Sequence, residues 1–79
     1  MNRPRNTPDN WKEIVQKLKE AFDRSGMTQD ELADKTGLIQ SNISRIFNFK
    51  FIPRISTISL IADAIGYDVK IVDRSNMNL

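Results

Sequence analysis

The sequence predicts an all-α fold, a compact bundle of four to five short helices followed by a short C-terminal β-strand. Three observations carry this. Apolar residues recur at steps of three and four in four separate segments. Isolated glycines at 26, 37 and 66 and a proline at 53 stand where those segments must stop. Beyond Gly66, Tyr67, Val69 and Ile71 alternate with Asp68 and Lys70, the period of a strand.

The elements follow in order. Residues 1–6 are polar, carry Arg3 and Arg5, and read as a flexible N-terminal arm. Thr7 before Pro8 is a helix start, with proline in the first turn; Asn10 with Glu13 is a competing cap. The first helix then runs to about Arg24 on a stripe of Trp11, Ile14, Val15, Leu18, Ala21 and Phe22. Thr28 and Glu31 have capping-box spacing, with Met27 placed to staple onto Leu32. That second helix must be short, because Gly37 stops it. A third helix resumes near Gln40, with Leu38, Ile43, Ile46 and Phe47 on its apolar side. Residues 48–55 break the period and read as a loop around Pro53. A fourth helix starts near Ser56 or Thr57, buries Ile58, Ile61, Ala62 and Ile65, and ends at Gly66. Residues 67–72 form the strand, and the last residues are polar enough to fray.

Composition excludes several function classes. At 79 residues, one small domain burying roughly 60–65% of its unfolded surface is expected. There is no cysteine and no histidine. Thiolate nucleophiles, cysteine zinc sites and the commonest general base are therefore absent. No carboxylate cluster has calcium-loop spacing, and three isolated glycines build no phosphate-cradling loop. No catalytic, metal or cofactor residue is expected, so the chain reads as a non-enzyme. No apolar run approaches the roughly 18 residues of a membrane span, and the N-terminus lacks the apolar stretch of a signal peptide. A soluble, cytoplasmic protein without membrane contact is the expectation.

The spacing of residues 29–46 is specific. Counting from Gln29, Leu32 is fourth, Ala33 fifth, Gly37 ninth, Leu38 tenth, Ile43 fifteenth and Ile46 eighteenth. Two short helices, a tight glycine turn and two apolar inner faces describe a helix-turn-helix. Ala33 is small where the next helix crosses, Gly37 supplies a positive φ, and the aliphatic residues bury one helix on the other. On these residues the stretch TQDELADKTGLIQSNISRI resembles the Cro/repressor-type (XRE family) helix-turn-helix of phage repressors and bacterial regulators. The likeness continues through Pro53 and SLIADAIG, covering roughly residues 11–66, so residues 7–66 are expected to be the DNA-binding domain. The resemblance implies a lambda-repressor-like bundle whose third helix reads the DNA major groove, usually as a dimer on an operator. Two departures stand out. Ile39 occupies a position usually Ser or Thr, and Phe47-Asn48-Phe49 replaces an acid, any residue, then glycine. Asn48 is then the residue expected to take the left-handed cap.

Charge points the same way. No acid lies between Asp34 and Asp63, whereas Lys35, Arg45, Lys50 and Arg54 do. The total is +2, so the rest of the chain is net acidic and the positive field sits on the third helix and the loop behind it. Gln40, Ser41, Ser44 and Arg45 are the expected base-contacting residues. Gln40 suits adenine, and Arg45 suits guanine or phosphate equally. Gln29 matches the family's phosphate-contacting glutamine at a helix N-terminus. Asn42, Asn48 and Lys50 complete the phosphate set.

Phe49, Phe51 and Ile52 interleave with Lys50 and Arg54, and either pack inward or make a dimer contact. In related repressors this region lies near the two-fold axis, which favours dimerisation through Phe51 and Ile52. The strand has no partner strand in the chain, so it either pairs with its own copy across a dimer axis, making residues 67–79 a dimerisation tail with Val69 and Ile71 as contacts, or pairs with another protein, or packs as an extended tail. The expected function is a sequence-specific regulator of transcription that binds double-stranded DNA as a homodimer and represses by occupancy. Two alternatives remain. Some short members of the family are antitoxins that bind both DNA and a toxin protein, and a helix-turn-helix fold can serve protein interaction alone.

Overall fold

The computed structural model describes residues 10–73. Four helices follow one another: α1 (Asn10–Ser25), α2 (Gln29–Thr36), α3 (Gln40–Phe47) and α4 (Ile55–Ala64). The arm of residues 1–6 and the Thr7–Pro8 cap lie outside the described residues.

Each boundary has a local cause. The Thr28 Oγ1 accepts from the Glu31 N–H at 3.1 Å, while the Thr28 N–H donates to Glu31 Oε1 at 2.8 Å. This reciprocal pair satisfies two of the orphan donors at the start of α2. Hydrogen bonds from the Thr28 backbone and side chain hold the Glu31 carboxyl below the usual glutamate range. Gly37 closes α2 at φ 77°, its N–H donating to the Ala33 carbonyl at 2.8 Å. A Cβ at Gly37 would touch nothing within 4 Å, so glycine stands there for its conformation, not for space. The Thr36 hydroxyl ties the turn together: it donates to the Leu32 carbonyl at 2.7 Å and accepts from the Leu38 N–H at 3.2 Å.

The helices converge on one core. α2 and α1 each pack against both α3 and α4. Val15, Leu18 and Phe22 of α1 meet Leu32 of α2, Ile43, Ile46 and Phe47 of α3, and Ile58, Ile61 and Ala62 of α4. The Phe22 and Phe47 rings lie 5.1 Å apart between centroids. Each fully buried aliphatic side chain contributes about 1.5–3 kcal/mol. Among the described residues no polar or charged side chain is buried, so the fold rests on apolar packing. Ala33 is half-buried against this core.

Three features differ from the sequence expectation. α4 begins at Ile55, not at 56 or 57; Arg54 is already its extended N-cap, and Ile55 is exposed. Asn48 is not left-handed: it sits at φ −100°, and Phe49 takes φ 59° instead. The Lys50 N–H reaches the Arg45 carbonyl and the Phe49 N–H the Ile46 carbonyl, both at 3.0 Å. This is the pattern of a Schellman motif, and it places the left-handed residue one beyond Asn48. Phe49 tolerates the position while its ring lies 6.4 Å from that of Trp11. Finally, Tyr67–Val72 form no strand, because the described chain offers no edge to pair with; Tyr67–Lys70 instead border a groove between α1 and α4.

The left-handed Phe49 generates a stability prediction. Phe49→Gly and Phe49→Ala both lose the Trp11 contact, but only alanine keeps the Cβ penalty. The glycine variant is expected to be the more stable by about 1 kcal/mol, reversing the usual ranking away from turns. Urea midpoints of the two variants decide it; an alanine variant equal or superior to glycine contradicts the assigned conformation.

Candidate nucleic-acid interface

The core fixes which face of α3 looks outward. Ile43, Ile46 and Phe47 point inward, so Gln40, Ser41 and Arg45 are exposed, with Asn42 and Ser44 half-buried at the edges. Asn48 and Lys50 follow, both exposed, at the exit of α3. Gln29, the first residue of α2, is half-buried beside the start of α3.

Gln40 and Gln29 are bonded directly: the Gln40 Nε2 donates to the Gln29 Oε1 at 2.7 Å. This links residues eleven apart in sequence and joins the N-terminal ends of α2 and α3. Gln40 keeps its own carbonyl oxygen and a second N–H for another molecule, one acceptor and one donor side by side. That is the complement of the adenine N6 and N7 edge. The bond also fixes the side chain's direction, lowering the entropy to be lost on binding.

The start of α3 is electrostatically open. Its N-cap is Ile39, which supplies no side-chain acceptor. Its first amides and the positive end of its dipole therefore face outward, where an anion is stabilised. At the far end, Asn48 Nδ2 donates to the Ser44 carbonyl at 2.8 Å and approaches the Ser44 Oγ at 3.4 Å. Asn48 thus directs its amide back along α3, and one bond to the Ser44 carbonyl leaves its second N–H to meet a phosphate. The Arg45 guanidinium lies over the Phe51 ring, its Cζ 5.2 Å from the centroid. Arg54 and Asn42 border a shallow groove of about 320 Å³ between α3 and the start of α4.

Two of these features escape sequence reasoning. Arg54 was legible only as one cation within the acid-free interval, and the Phe51 platform under Arg45 had no sequence signal. The four residues assigned to dimerisation are distributed differently. Phe51 is half-buried against the core, Ile52 is exposed at the loop, Val69 borders the α1–α4 groove, and Ile71 is fully exposed.

The helix-turn-helix family profile matches residues 18–72, well over half of the chain. The chain is a Cro/repressor-type helix-turn-helix protein. Members of this XRE family bind DNA and regulate transcription, and the family is not one of enzymes. No curated protein and no solved structure matches the chain significantly. No helix among the described residues is long and apolar enough to cross a membrane.

Proposed function

We propose that this helix-turn-helix protein is a sequence-specific regulator that binds double-stranded DNA in the cytoplasm and represses transcription by occupying an operator as a homodimer. It catalyses nothing and needs no cofactor. Residues 7–66 form the binding domain, with residues 1–6 as an arm and residues 67–79 as the dimerisation tail. The observation that carries this reading is the Gln29–Gln40 hydrogen bond, which presents an oriented amide at the exposed start of α3. The acid-free interval around it supplies the cations for phosphate.

The roles divide by chemistry. Gln40, Ser41, Ser44 and Arg45 contact bases. Gln29, Asn42, Asn48 and Lys50 contact phosphates. Selection from random duplexes identifies the operator. On that site Gln40→Ala is expected to cost about 1–3 kcal/mol and to relax one base pair. Lys50→Ala is expected instead to weaken selected and random duplexes alike and to shallow the salt slope by about one unit. Equal losses for both variants on both duplexes would refute the division.

Dimerisation suits this reading, because two reading helices about 34 Å apart enter successive major grooves on one face. Ile52, Val69 and Ile71 are exposed apolar side chains for a second copy to cover, with Phe51 half-buried against the core beside Ile52. Tyr67–Val72, which form no strand among the described residues, are then expected to pair with their two-fold mates. Sedimentation of the full chain against a chain ending at Gly66 tests this. The full chain is expected to be dimeric at tens of micromolar, and the shorter one more monomeric and much weaker on a palindrome than on a half-site. A monomeric full chain would refute the homodimer and leave Tyr67–Val72 either to a different protein partner, as in an antitoxin bound to its toxin, or as a loose tail.

A further inference from the structure

We propose that Phe51 is the positioning residue for Arg45, holding its guanidinium over the ring so that the N–H edge reads a guanine. The proposal rests on the reading that α3 enters the major groove, and it adds a residue that does not itself touch DNA.

The geometry is specific. Arg45 lies in the last turn of α3 and is exposed, whereas Phe51 lies four residues beyond the end of that helix. The chain reverses at the left-handed Phe49, which returns the loop toward α3 and sets the guanidinium carbon 5.2 Å from the Phe51 centroid. The platform is anchored: Phe51 is half-buried against the core, and Pro53, two residues on, is buried. An exposed arginine without such a platform samples many rotamers.

Chemistry decides what the restraint is for. Stacking engages the face of the guanidinium and leaves its in-plane donors free. Two parallel N–H bonds to guanine O6 and N7 need a planar fork at a fixed angle. A phosphate grip tolerates a loose point charge, the role given to Lys50. Of the two roles open to Arg45, the pinned geometry therefore favours the base.

The test uses the full chain and the duplex recovered by selection, with each base pair substituted in turn. The readout is the ratio of Kd on substituted and selected duplexes. It compares the same protein on two ligands, so partial unfolding cancels. Arg45→Ala is expected to abolish preference at one G·C pair. Phe51→Leu, which keeps an apolar side chain but removes the π face, is expected to lower preference at that same pair about two- to fivefold. Phe51→Tyr is expected to retain it, and Phe51→Leu added to Arg45→Ala to lower it no further. Full preference in Phe51→Leu, or an equal loss at every pair and on random duplex, overturns the positioning role. A Gln40→Ala effect at one pair with no pair sensitive to Arg45→Ala overturns the guanine assignment while leaving DNA reading intact. Failure of the wild-type chain to select any sequence overturns the functional reading itself.

Discussion

The fixed crossing of α3 over α2 is the constraint on which the rest of this small protein depends. It is made by Leu32 and Ile43, both fully buried, and by a turn that only a left-handed residue closes at Gly37. Among the described residues the helices share one core, with no buried polar network to fall back on. The side chains that keep α3 in place therefore also decide which residues it shows to solvent. Rotating α3 by one position would bury Ser44 and expose Ile43. Core stability and presentation of the reading face are one physical requirement here.

The polar surface is organised by the same crossing. Gln29 and Gln40 meet only because the two helix starts converge, and their bond orients one amide for recognition. At the other end of α3 the loop must turn back sharply, and it does so through a phenylalanine at φ 59°. A non-glycine residue there carries strain of about 1–2 kcal/mol. Contact with Trp11 offsets part of it, and the reversal delivers Phe51 to Arg45. Both ends of the reading helix are thus held by contacts outside it, which suits a binding surface that must lose little freedom on association.

How much of this was legible in the sequence depends on the range of the interaction. The capping box of Thr28 and Glu31, the Gly37 turn and the apolar stripe of α3 are encoded within a few residues, and each stands where its spacing puts it. The exposed placing of Gln40, Ser41 and Arg45 follows from that stripe. The bond from Gln40 to Gln29 depends on a crossing angle, which spacing does not reveal. Asn48 was the better left-handed residue by propensity, yet the carbonyls of Arg45 and Ile46 set the register and pushed that conformation onto Phe49. In the tail, the alternation of Tyr67, Val69 and Ile71 reports a two-faced segment but not a partner. With no edge available among the described residues, Tyr67–Lys70 border α1 and α4 without strand pairing, and Ile71 stands fully exposed.

The central claim is that the outward face of α3, set by the core, is where DNA lies. Backbone amide chemical shifts, followed while the selected duplex is titrated into the labelled full chain, test it residue by residue. The largest changes are predicted at Gln29, across Gln40–Arg45 and at Asn48–Lys50, with little change at Lys12, Gln16 and Lys19 on the outer side of α1. Changes centred on α1 or on Tyr67–Asp73, with α3 unmoved, would contradict it.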